Sequence, residues 1–238
     1  MGRSLARLAL VAVVSVAGCR SAAPPPSTVE LTAAIARLQR PLPGELSALY
    51  RLRVPASGGL RLAILATAEG GRISVNEPFG SALSLAAWGR DGASRLYDLR
   101  QGCRAATADL ESVLQVGHLP LPQAVRLLAG RLPSGPGDAV EIAGPWQLRV
   151  GGAGWACRVT LSAEPWRVTR VEEQASGTGG GWWAALEDHS GSVPGKIHLE
   201  HPKGRWAELE LVRLQWDTVG ELPRLPELPP CSEQGLDS

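Results

Sequence analysis

Three short stretches carry residue types that could do chemistry. His198-Leu199-Glu200-His201 offers two imidazoles and a carboxylate, donor types found in zinc sites. On a strand, however, side chains three positions apart point to opposite faces, and no further ligand cluster follows. Solvated surface histidines are the expectation there. Asp188-His189-Ser190 contains the residue types of a hydrolytic triad, but a triad is assembled from separated loops, so the adjacency predicts a turn. Gly177 to Gly181 lacks the Lys-Ser/Thr that completes a phosphate loop and reads as a hairpin connection. No general acid–base pair stands out. The chain is expected not to be an enzyme and to need no cofactor and no metal.

The cysteine with a definite chemistry is Cys19. Arg3 and Arg7 precede an apolar run from Leu8 to Val16, too short to span a bilayer as a helix but suited to the core of a secretory signal. The run ends in Val16-Ala17-Gly18-Cys19, which resembles a bacterial lipobox: small residues before an obligatory cysteine. That resemblance implies diacylglycerol on the Cys19 sulfur, cleavage after residue 18, and usually a further acyl chain such as palmitate on the new amino group. More than one chain makes a firm anchor. Arg20 occupies the position where an Asp retains a lipoprotein in the inner membrane under the enteric sorting rule, so the outer membrane is expected where that rule holds. The remaining cysteines are Cys103, Cys157 and Cys231. An oxidising compartment permits disulfides, and three thiols leave at least one unpaired. Cys103–Cys157 is a candidate pair, although spacing does not choose among the pairings.

Beyond the signal, 22 basic residues face 23 acidic ones. A balance so close to neutral does not point to nucleic acid, which calls for a clustered basic excess. Arg outnumbers Lys 22 to 2, a bias read as genomic base composition.

Stepping along the chain, 19–27 reads as the acylated cysteine with a Pro-rich tether, 28–220 as one domain and 221–238 as a tail. Ser27-x-x-Glu30 matches a capping box, and Leu31, Ile35 and Leu38 share one face of a short helix that Pro41 ends. The period then becomes two. Leu46, Ala48, Tyr50, Leu52 and Val54 alternate with polar residues, as do Leu60, Leu62, Ile64 and Ala66, then Trp146, Leu148 and Val150, then Trp155, Cys157, Val159 and Leu161. These are half-buried strands, and the Gly-rich punctuation between them argues for an antiparallel meander. In the late strand, Ala207, Leu209 and Leu211 share one parity, and Val212, Leu214 and Trp216 the other. A bulge near Leu211-Val212 would bring all six to one face. Residues 107–130 interrupt the meander with a helix pair, the first stopped at Gly117, the second entered at Pro122 and ended at Gly130. In the tail, Leu222, Leu225 and Leu228 each precede a proline at a spacing of three, which in polyproline II makes one apolar stripe.

One further oddity is Asn76-Glu77-Pro78-Phe79-Gly80-Ser81. It places the only Phe of the chain on turn chemistry, against eight Trp elsewhere. This block, with the lipobox and tether, the Thr107–Gly130 helix pair around Leu119-Pro120-Leu121-Pro122, and the Trp-containing strands around Gly151 to Arg158, resembles in order and spacing the lipoprotein-localisation (LolA/LolB) superfamily. The nearer resemblance is to its LolB-like outer-membrane receptors. It extends from Cys19 to about residue 172.

The resemblance implies a mostly β, α+β fold: a curved antiparallel half-barrel of about ten strands, with short helices covering its concave face. It implies an apolar cavity for acyl chains, with Leu46, Tyr50, Leu62, Ile64, Trp146 and Trp155 as lining candidates, although a solid core explains the same alternation. It implies that Pro78, Phe79 and Gly80 form a turn projecting from the barrel mouth to meet the membrane, the alternative being a ring folded back on the sheet edge. The implied partners are acylated client lipoproteins, the membrane through the anchor, and a periplasmic LolA-like carrier as candidate donor. A monomer on the periplasmic face of the outer membrane is expected. The competing expectation is an envelope assembly lipoprotein that uses the same fold to hold a protein or lipid.

Overall fold

The computed structural model describes residues 24–55, 58–91, 93–115, 117–163, 165–174, 181–217, 222 and 224–231. The signal 1–18, Cys19 with its lipidation, Arg20 and most of the Gly177–Gly181 stretch lie outside the described residues.

Helix α1 (Thr28–Leu38) opens on the expected capping box: the Ser27 hydroxyl oxygen accepts from the Glu30 N–H, and the Glu30 carboxylate accepts from the Ser27 N–H at 2.8 Å. Its buried side chains are Leu31, Ala34 and Leu38. A meander of six strands follows: β1 (Leu46–Arg53), β2 (Leu60–Thr67), β3 (Gly70–Asn76), β4 (Ala82–Gly89), β5 (Ser94–Asp98) and β6 (Cys103–Ala105). The helix pair is α2 (Leu110–Leu114) and α3 (Leu121–Leu128). Asp109 caps α2, and Gly130, at φ 72°, turns the chain out of α3 where a side chain would strike the Ser192 carbonyl. The second meander is β7 (Ala139–Gly144), β8 (Gln147–Gly152), β9 (Trp155–Ser162), β10 (Arg167–Glu173), β11 (Trp183–Glu187), β12 (Lys196–His201) and β13 (Arg205–Trp216).

β13 pairs with β1 and so joins the two meanders into one antiparallel sheet, ordered β6-β5-β4-β3-β2-β1-β13-β12-β11-β10-β9-β8-β7. The sheet has 13 strands rather than about ten. It is open and curved, a half-barrel with the helices in its concave face. One core fills that space: Tyr50, Leu62, Ile64, Leu148, Val159, Ile197 and Leu209 from the sheet meet Leu38, Leu114, Val125 and Leu128 from the helices.

The β13 bulge is present. Leu49 faces Arg213 and Tyr50 faces Leu211, so Val212 is the extra residue. Five of the six apolar side chains reach the core face, and Val212 itself, the bulged residue, is left 56% exposed instead of joining them. On the outer face of the same strand pair, polar partners meet across the ladder: Arg51 pairs with Glu210 and Arg53 with Glu208.

Candidate functional site

The β3–β4 connection carries Phe79. Glu77 donates its N–H to the Ser81 carbonyl at 2.8 Å, and Gly80 donates to the Glu77 carbonyl at 3.0 Å. Gly80 sits at φ 100°, a conformation an L side chain rarely adopts. The turn is therefore tight and its geometry depends on glycine. Phe79 stands off it with 98% of its surface exposed.

Behind the turn lies an open cavity of about 640 Å³ at this end of the strands. Leu52 and Val54 from β1 and its exit, Leu60 from β2 and Val75 from β3 form the sheet wall. Val113 and Leu114 from α2 form the opposite wall, and Pro78 and Phe79 stand at the rim. The charged groups on the lining are Glu77 and Arg100. A bulge helps shape the site: Val75 faces Ser84 but Asn76 faces Ala82, which makes Leu83 the extra residue. Leu83 packs with the core cluster and lines the cavity, whereas Leu85 two positions on packs on the outer face. The bulge thus changes the face that Leu83 serves.

The residues expected to line an acyl cavity are elsewhere. Leu46, Tyr50, Leu62 and Ile64 are at most 1% exposed and packed solidly between sheet and helices. Tyr50 donates its hydroxyl to the Leu128 carbonyl at 3.0 Å, fixing α3 against β1, and burial raises its phenol pKa. Trp155 is half-buried and packs against the core. Trp146 is half-buried at the opposite end of the strands, in a separate groove. None of the six lines the cavity beside Phe79. Tyr50, Leu62 and Ile64 lie inside their strands in the packed core, whereas Leu46, Trp146 and Trp155 lie at strand ends away from the α2 cavity.

The candidate Cys103–Cys157 pair does not form. Cys103 is bonded to Cys231, and Cys157 is a buried free thiol inside β9. Burial, with Asp138 and Glu173 adding to it, pushes that thiol up to about 12. The disulfide holds the tail. Arg104 donates to the Pro229 carbonyl and Cys231 donates to the Arg104 carbonyl, so the tail pairs with edge strand β6. Upstream, Leu228 packs on Leu85, Ala87 and Tyr97, and Leu222 and Leu225 lie beside Trp88 and Arg95. Leu228 of the Leu-Pro stripe packs on the outer face of β4 and β5, away from the cavity, while Leu225 is 41% exposed.

His198 is sandwiched by Trp183 and Trp206, with ring centroids at 5.4 and 6.5 Å, and the His201 Nδ1 accepts from the Lys203 N–H. His189 bonds the Val168 carbonyl at 2.9 Å, while Ser190 pairs with Val193 in a turn. A grouping that sequence spacing did not suggest joins Asp109, Glu111 and His118: the His118 Nδ1 is 2.7 Å from the Asp109 Oδ2. Asp109 is already the cap of α2, accepting from Ser112, and Glu111 pairs with Arg205. These bonds tie the α2–α3 loop down beside the cavity.

No protein-family model matches the chain, and no curated protein matches it in sequence. In structure it is similar to a LolA superfamily protein of Nitrosomonas europaea, with a TM-score of 0.57 at 11% identity over 82% of this chain and 94% of that one. It is also similar to a domain from Vibrio parahaemolyticus named for outer-membrane lipoprotein sorting, with a TM-score of 0.51 at 11% identity over 80% and 92%. The fold is LolA-like.

Proposed function

We propose that this chain is a LolB-like lipoprotein, anchored through Cys19 at the periplasmic face of the outer membrane. It accepts acyl chains of client lipoproteins in the cavity beside Phe79 and helps insert them in the membrane. The observation that carries this reading is the pairing of an uncovered apolar cavity with a fully exposed ring on its rim. About 640 Å³ falls within the usual range of small-ligand pockets, roughly 300–1,000 Å³. A ring on a Pro-Gly turn can enter the interfacial lipid region with almost no loss of packing, because it has almost none to lose. The protein performs no chemistry in this reading: apolar chains move from a shallow site to a better solvent, and the hydrophobic effect sets the direction.

The lipoprotein-sorting name of the Vibrio neighbour and the lipobox-like run before Cys19 support the same reading. A LolA-like carrier is the proposed donor. The test is Phe79→Glu. An exposed position predicts a stability change within about 0.5 kcal/mol. Client transfer into liposomes is expected to fall while acyl binding in solution persists. Unchanged transfer would remove Phe79 from the mechanism, and absence of acyl binding in the unaltered protein would remove the carrier reading altogether.

A further inference from the structure

The strand order places a second feature at the far end of the molecule. In an antiparallel sheet, successive turns alternate between the two ends of the strands. Counting along the order, the β3–β4 turn with Phe79 lies at one end, and the β7–β8 and β9–β10 turns lie at the other. Those two turns bring Trp146 and Trp166 together with ring centroids 5.7 Å apart. The pair lines an open groove of about 790 Å³, and Pro24, Pro25 and Pro26 line it too. The described end of the Pro-rich segment after Cys19, Pro24 to Pro26, therefore runs along this groove. Pro24 lies five positions after Cys19, a reach of at most about 18 Å.

Among the described residues, arginines outnumber acids around the groove. Arg37 lines it, and the Arg131 guanidinium donates to the Arg37 carbonyl at 3.3 Å. Arg37 and Arg40 are both exposed on or just after α1 and lie close enough to Arg131 to lower its pKa, after burial. Arg167 donates its Nε to Ser162 on the groove wall. Among the described lining residues the acid is Glu30, which accepts the Ser27 capping bonds and keeps its negative charge. Val29, in the first turn of α1, is 79% exposed. Half-buried tryptophans beside arginines and an exposed aliphatic residue match the chemistry of a bilayer interface: indole at the headgroup level, guanidinium on phosphate.

We infer that the Trp146–Trp166 end is a seat for an anionic phospholipid surface, on which the anchored protein rests with its Phe79 mouth facing away. This goes beyond the acyl-carrier reading and takes from it only the Cys19 anchor. Seated this way, the mouth is open to an incoming client, and delivery requires the protein to leave the seat and turn. Each arginine near an anionic surface favours the seated state by roughly fivefold, so the seat is held weakly enough to be left.

The test uses the full acylated chain reconstituted in vesicles of brominated phosphatidylglycerol or brominated phosphatidylcholine. Bromine quenches only indoles at lipid depth. Strong quenching is expected in the anionic vesicles, weak quenching in the neutral ones, and release of quenching at high salt. Joint replacement Trp146→Phe and Trp166→Phe should remove most of the quenchable emission. Joint replacement Arg37→Glu and Arg40→Glu should lower seating at least tenfold. Quenching that persists in the double Trp variant, or that ignores both lipid charge and salt, overturns the seat. The salt titration needs no variant, so a misfolded mutant does not decide the outcome. Phe79→Glu should leave quenching intact while reducing client transfer, which separates failure of the seat from failure of the carrier reading.

Discussion

Cys103 and Cys231, 128 positions apart, are joined by a disulfide that fastens the tail along the outermost strand of the N-terminal half-sheet. An edge strand exposes unpaired backbone donors and acceptors and invites association. Here the tail takes up that edge, with one backbone bond to each side of Arg104. The bond closes a loop that includes α2, α3 and the whole second meander. Cys231→Ser is therefore expected to destabilise the protein by about 2–4 kcal/mol, read from denaturant unfolding under oxidising conditions. Reduction of the unaltered protein should reproduce that loss.

The Leu-Pro stripe makes a separate prediction. Leu228 covers Leu85, Ala87 and Tyr97 on the outer face of β4 and β5. Leu228→Asp, with the disulfide intact, should cost about 1–2 kcal/mol, the scale of burying one aliphatic side chain. Hydrogen exchange should quicken in β4 and β5 and stay unchanged in β8 to β10. Equal protection in both regions would mean that the stripe only rests on the sheet.

Sequence pattern was most informative where one face of a strand is wet. β1, β2, β8 and β9 alternate cleanly because their outer faces meet water or cross-strand ion pairs such as Arg51–Glu210. The capping box at Ser27 and the glycine stop at Gly130 depend on local chemistry and were equally legible. The uncounted strands are short or uneven. β6 has three residues, and β7 is an edge strand that leaves Ile142 47% exposed. β4 does not alternate: Leu85, Ala86 and Ala87 are all buried, because the helices cover one face and the tail covers the other. That unbroken apolar run was the available signal for a covered outer face. The disulfide partner depended on where the tail goes, which no local pattern records. The Phe79 turn was visible, but the cavity behind it is defined by where the helices stop, and period-two patterning gives no information on that.

The buried thiol of Cys157 has a definite pH signature. Its folded pKa is pushed up to about 12, above the ordinary thiol value, chiefly by burial. The unfolded chain therefore loses this proton first as pH rises. Stability from this group is complete below about pH 8.5, the unperturbed value, and falls as pH climbs from there toward the folded value. Denaturation midpoints measured from pH 8 to 10 should decline, and decline less in Cys157→Ala once its lower baseline is subtracted. Alkylation by iodoacetamide at pH 8 should be negligible in the folded protein and rapid in denaturant.

The difference between the cavity and the core can be tested by two substitutions that should behave in opposite ways. Leu60 sits at the start of β2 on the cavity wall, partly exposed, while Ile64 sits four residues on in the same strand and is 0% exposed. Leu60→Trp places bulk in open space, so stability should change by less than about 1 kcal/mol while binding of a fluorescent fatty acid is mostly lost. Ile64→Ala removes packed atoms from the core and should cost about 2–4 kcal/mol, with fatty-acid binding retained in the molecules that remain folded. Both proteins are checked by the same denaturation and ligand titration. If Ile64→Ala instead binds more acyl chain than the unaltered protein, the core under the helices opens to ligand, and the cavity extends from the Phe79 mouth into the middle of the sheet.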